Sequence, residues 1–171
     1  MRHTKPRPPR VLSVFPTTKG FGYAVFEGPG EVVDWGVQLI PINALHEHNS
    51  RVSALIEWYT PEVIVVENYA GQGSRRSTRL RQQIQGIARM GRSRGITIES
   101  YSRALIRQCF ARFNARGKDA IARVIAREFP EMEPRLPPAR RPWMSEDYRM
   151  GMFDAAALAL THFYVSSARD L

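Results

Sequence analysis

Apolar residues first gather at Val11 to Val14, a short β-leaning run, and a turn from Pro16 to Gly20 separates it from a second strand over Phe21 to Glu27. Gly28-Pro29-Gly30 is a strong turn signal, and Val32 to Ile40 reads as a third strand, so residues 11–40 predict an antiparallel meander. Pro41 breaks the pattern. From Ala44 to Tyr59 the apolar positions Leu45, Val52, Leu55, Ile56 and Tyr59 recur at helical spacing, and Pro61 ends that helix. Val63 to Val66 is an unbroken β-branched run, as expected of a strand covered on both faces of a parallel sheet. Between Ser74 and Arg94 only Leu80, Ile84, Ile87 and Ala88 form a stripe, which predicts an amphipathic helix with an arginine-covered outer face. A strand over Ile96 to Ser100 follows, then helices over Ser102 to Phe113 and Lys118 to Phe129 with Gly117 between them. Pro130 to Pro142 holds five prolines and reads as a loop; Ser145 is placed to cap a last helix running to about Ala168 around the dense core Ala155 to Leu160. Three strands, then alternating helices and strands, is an α/β order with a mixed central sheet.

Composition narrows the class. A chain of 171 residues, 43% apolar and 24% charged, suits one globular domain over 11–171, preceded by a basic, proline-rich segment over 1–10 that reads as a flexible arm. No apolar run approaches the roughly 18 residues of a membrane helix, and none follows the basic start to suggest a signal peptide. The single cysteine, Cys109, excludes an intramolecular disulfide and a cysteine-built zinc site, in keeping with a cytoplasmic location.

Charge carries more. Twenty-five Lys and Arg against sixteen Asp and Glu give a formal +9, and only Lys5, Lys19 and Lys118 are lysines. Guanidinium groups are always charged and fork onto phosphate oxygens, so nucleic acid is the leading partner. The arginines of the amphipathic segment, Arg75, Arg76, Arg79, Arg81, Arg89 and Arg92, have no acidic residue between Asn68 and Ile98 to pair with. A face of unpaired like charges is stabilised by phosphates, which makes this helix the expected nucleic-acid surface; a plainly solvated face is the alternative. Tyr69, before Gly71 and Gly73, is placed either to stack on a base or to close the core. His3, His46 and His48 show no metal spacing, and His162 sits in an apolar helix as a packing residue.

Three stretches, in order, carry a family resemblance. Leu12-Ser13-Val14-Phe15-Pro16 leads through a turn to Gly20-Phe21-Gly22-Tyr23-Ala24-Val25; Pro61-Glu62-Val63-Ile64-Val65-Val66-Glu67 is a strand ending in a glutamate; Asp154-Ala155-Ala156-Ala157-Leu158-Ala159-Leu160-Thr161-His162 is an alanine-rich helix opening on an aspartate. Together they resemble the RuvC-type Holliday-junction resolvases, which implies an RNase H-like fold. The resemblance further implies a metal-dependent endonuclease acting on branched DNA, two divalent cations held between carboxylates, and a symmetric dimer. Magnesium or manganese is the implied cofactor, since hard cations take oxygen ligands. On this chain the implied ligands are Glu67, Asp154 and, two helical turns before Asp154, Asp147, with Glu146 nearby; Lys118 is the implied phosphate contact or catalytic helper.

Two positions depart from the family pattern. Phe15 stands where the first-strand aspartate belongs, and Gly151 stands where a second acid precedes Asp154 by one turn. An aromatic ring ligates no cation, and losing an anion that touches both metals weakens the whole site. The expectation is therefore a RuvC-like protein that binds branched or structured DNA with an incomplete two-metal site. Its rivals are an active endonuclease with a rearranged site, and an RNase H-like scaffold for a protein partner.

Overall fold

The computed structural model describes residues 6–70 and 76–170, so His3, Lys5, Ser74 and Arg75 lie outside the described residues. Five strands form one sheet: β1 (Val11–Thr17), β2 (Gly20–Phe26), β3 (Val32–Leu39), β4 (Val63–Glu67) and β5 (Thr97–Tyr101), in the order β3-β2-β1-β4-β5. β1–β2 and β2–β3 pair antiparallel; β1–β4 and β4–β5 pair parallel. The meander and the parallel half both match the hydrophobic pattern. Helices α1 (Leu45–Tyr59) and α2 (Thr78–Ser93) cover one face, and α3 (Arg103–Ala111), α4 (Lys118–Glu128) and α5 (Met150–Arg169) the other.

The period of two along β1 and β4 sorts their side chains between these layers. Leu12, Val14, Ile64 and Val66 enter the α1–α2 core; Val11, Phe15, Val63 and Val65 enter the α3–α5 core. Ser13 shares the latter face and is fully buried because its hydroxyl donates to the Ala155 carbonyl of α5. The paired registers Val11–Val63 and Ser13–Val65 carry the same offset on to Phe15 and Glu67, which therefore sit abreast on the α5 side.

Several expectations need correcting. β1 continues through Phe15 and Pro16, so the turn shrinks to Thr18-Lys19. In α1 the buried positions are His48, Val52 and Ile56, while Leu45 points outward. The proline-rich stretch holds a 3₁₀ turn (Pro130–Arg135) that plants Met132 in the core. Ser145 caps nothing: α5 begins at Met150, with Arg149 at its N-cap and no side-chain cap. Asp147 thus precedes the helix instead of lying two turns up it. Within the basic N-terminal segment Arg7 pairs with Glu62, and Arg10 pairs with Glu27 and donates to the Tyr59 carbonyl, which ties this end of the expected arm to the domain.

α5 starts directly on the hairpin. A Cβ on Gly22 would lie 2.0 Å from the Gly151 carbonyl, and one on Gly151 would lie 3.4 Å from the Gly22 backbone. Only glycine permits so close an approach of two main chains. The residue standing where the family places a second acid is therefore part of a backbone contact. No helix among the described residues is long and apolar enough to cross a membrane.

Candidate functional site

Strand parity and the start of α5 bring Phe15, Glu67 and Asp154 to one cleft, together with Lys118 from the start of α4. Phe15, 5% exposed, occupies its inner end. The Arg76 guanidinium lies 4.4 Å and the Lys118 ammonium 5.5 Å from the Phe15 ring centroid, both within cation–π range.

Each carboxylate beside the ring already holds a cation. Glu67, 6% exposed, accepts from Arg76 Nε at 2.5 Å. Asp154 accepts from Lys118 Nζ at 3.2 Å, and the same ammonium reaches Glu146 at 3.1 Å. Burial pushes the Asp154 carboxyl up to about 6, partly offset by Lys118 and pushed further by the Glu146 charge. Asp147 lies beside this cluster, but its two oxygens take a fork from Arg149, at 3.0 and 2.8 Å, and its own backbone turn; that pairing holds it below the usual carboxylate range.

A pair of hard divalent cations needs several free anionic oxygens converging on it. The residues present do not fit that demand. Glu67 and Asp154 face organic cations, Asp147 is turned onto Arg149, and the Phe15 ring stands beside them on the α5 face of the sheet. Among the described residues no three His, Cys, Asp or Glu side chains assemble into a ligand set.

The cleft opens outward between α3, α4 and α5. Its walls are Ile106, Ile121, Ala122, Phe153 and Ala157, and its rim carries Arg103, Arg107 and Arg116. These three arginines escape sequence reasoning as a site, although Arg103 and Arg107 stand one helical turn apart and Arg116 lies two residues before Lys118. None of them has an acidic partner among the described residues.

The arginine face of α2 is less uniform than its sequence suggests. Arg76 is consumed by Glu67, just outside the acid-free window, and Arg79 donates to the Ile42 carbonyl. Arg81 lies 5.3 Å from the Tyr69 ring, while Arg89 and Arg92 line a groove beside the end of β4. Tyr69 is half-buried, packs against the α1–α2 core and bonds Gln85. His162 is buried and bonded to the Tyr101 hydroxyl at 2.9 Å, a packing role.

No protein-family model matches the sequence, and no curated protein aligns with it significantly. Solved structures do resemble it. The RuvC structure of Thermus thermophilus superposes with a TM-score of 0.65 at 19% identity, covering 93% of this chain and 96% of its own. The T. thermophilus RuvC in complex with Holliday junction substrate gives 0.64 at 20% identity over 92% and 96%. The yeast mitochondrial Holliday junction resolvase Ydc2 gives 0.53 at 15% identity over 98% and 89%. With a five-stranded mixed sheet between two helical layers and these likenesses over nearly its whole length, the chain has the RNase H-like α/β fold of RuvC.

Proposed function

We propose that this is a RuvC-like nucleic-acid-binding protein that engages branched or structured DNA, with nuclease activity reduced or absent. The observation that carries the reading is the cluster around Phe15, where Arg76 and Lys118 already neutralise Glu67 and Asp154. The family's cleavage chemistry would require magnesium or manganese on Glu67, Asp154 and Asp147, with Lys118 on the phosphate. Ion pairs on all three carboxylates argue against that arrangement. DNA contact falls to the basic surfaces: Arg79, Arg81 and Tyr69 around α2, Arg75 in the same segment, and Lys118 with the arginines of the cleft rim, while Arg76 stays on Glu67. The complex of T. thermophilus RuvC with a Holliday junction supports branched DNA as the ligand class. A two-fold junction suits a homodimer.

The test compares binding and cleavage of a four-way junction and linear duplex, with magnesium and with manganese. The expected outcome is salt-sensitive binding that favours the junction, without cutting. Phe15→Asp alone is expected to restore no cleavage, because the new carboxylate meets Arg76 and Lys118. Robust cutting by the wild type, abolished in Glu67→Gln, would overturn the proposal and favour an active endonuclease. Salt-independent or absent DNA binding would favour the protein scaffold.

A further inference from the structure

Two polar side chains occupy core positions in the helices that cover the other face of the sheet, away from Phe15. His48 heads the buried stripe of α1, ahead of Val52 and Ile56, and Gln83 interrupts the stripe of α2 between Leu80 and Ile84. His48 is 1% and Gln83 8% exposed. Among the described residues neither ring nitrogen of His48 has a hydrogen-bond partner, and neither does Gln83 Oε1. Buried groups of this kind lower stability unless something supplies their bonds. Both line one pocket of about 220 Å³, set between the β1–β2 turn, the segment leading into α1, and α2. A single water needs only about 10–15 Å³. Ile40, Ile42 and Leu45 are its main apolar sides, and Ile42 and Leu45 stay exposed at its mouth. The Phe21 ring meets the imidazole edge-on, with centroids 5.2 Å apart, which fixes the orientation of His48.

The bonding inventory of this floor selects its ligand. Burial keeps His48 neutral, so the ring offers one N–H and one bare nitrogen, and Gln83 adds a carbonyl oxygen. Two acceptors therefore stand against one donor. A carboxylate or phosphate brings acceptors only and leaves both unmet. No acidic side chain among the described residues lines the pocket to hold an ammonium group. An amino group beside a ring acceptor, as on adenine or cytosine, brings two N–H donors and one acceptor, and its flat faces suit the apolar sides. A carboxamide carries the same edge without the ring that fills the space between them. We infer that this pocket binds a free nucleoside or nucleotide by the amino edge of its base, which bonds to His48 and Gln83. A DNA strand would need several cations along its path, whereas Arg79, half-buried at the rim, is the one charged side chain lining the pocket apart from neutral His48. That guanidinium is placed for the ligand's sugar or phosphate.

Calorimetric titration and thermal unfolding of the full-length protein with adenosine and with inosine test this. Inosine keeps the shape of adenosine and replaces the amino group by a carbonyl. Adenosine is expected to raise the unfolding midpoint and to bind about tenfold more tightly than inosine, which leaves a buried acceptor unpaired. Gln83→Met, close in shape but without the acceptor, should bring the two affinities within about twofold of each other. Because it removes an unpaired buried oxygen, it should not lower the unfolding midpoint of the free protein. His48→Phe, which keeps a ring against Phe21, should weaken adenosine to the same degree. Equal binding of the two nucleosides by the wild type, or a preference for adenosine that survives Gln83→Met, overturns the inference. Failure of either nucleoside to bind overturns it as well and leaves the pocket to water. Displacement of adenosine by a four-way junction overturns the free ligand in favour of a base within a strand. Junction binding that saturating adenosine leaves unchanged supports a separate site.

Discussion

The two ends of the cleft treat charge in opposite ways. At the inner end every carboxylate is matched by a cation of the same chain: Glu67 by Arg76, Asp154 and Glu146 by Lys118, Asp147 by Arg149. At the outer end Arg103, Arg107 and Arg116 form no ion pair among the described residues, although Arg103 is near enough to Asp154 to help hold its carboxylate ionised. The inner end is thus electrostatically closed, and its ion pairs belong to the fold. The outer end is open, and its charges await a ligand. Substitutions inside should register as stability, and substitutions outside as affinity.

The largest expected effect is on the inner framework. Gly22→Ala drives a methyl into the Gly151 carbonyl, where only main chain is available to yield, and should cost about 4 kcal/mol or more in denaturant unfolding. Next comes Arg76→Met, which leaves Glu67 charged and buried; about 3 kcal/mol is expected, and much of it should return in the double variant Arg76→Met with Glu67→Gln. Near-normal stability of the single variant would show that the inner end is not closed as described. Outside, replacing Arg103, Arg107 and Arg116 together by Gln should leave the unfolding midpoint unchanged. The same triple variant should lower DNA affinity about a hundredfold at low salt and flatten the log–log salt slope by about 2 to 3.

The smallest effect links the two ends. Above pH 6 the Asp154 carboxylate is ionised and holds Lys118; below it the carboxyl takes up a proton and frees the ammonium, with Glu146 its remaining partner and Arg103 nearby. The folded pKa lies above the ordinary carboxylate value of about 3.9, so this group's proton uptake stabilises the fold as pH falls through that interval. DNA affinity should rise about threefold between pH 7 and 5, relative to Asp154→Asn measured in parallel at matched ionic strength. Identical pH profiles for the two proteins would separate Asp154 from the binding surface.

Much of this was legible in the chain. Glu67 and Asp154 announced themselves because a carboxylate closing a β-branched strand, and another opening an alanine-rich helix, have few purely structural reasons to be there. Phe15 was readable as a substitution from its position in the first strand, and period-two alternation suffices to put it beside Glu67. Asp147 was misplaced because Ser145 looks like a cap, whereas Asp147 itself closes a turn onto Arg149. The outer arginines were missed for a different reason: on exposed helix faces they look like any solvated charge until α4 and α5 turn an apolar wall toward them. Arg76 looks free in the sequence because its acid, Glu67, directly precedes the acid-free stretch from Asn68 to Ile98. His48 is the converse case, since no hydrophobic stripe marks a buried imidazole, and burial holds its pKa below the usual histidine range.

The contact between Gly22 and Gly151 also fixes a dimension. With no side chain between the hairpin and the helix, rotamer changes cannot shim the gap that sets how far Asp154 stands from Phe15. The inner end is a gauge block of main chain, indifferent to what approaches it. Any adjustment to a guest must come from α3 and α4, whose arginine stems are long enough to follow it.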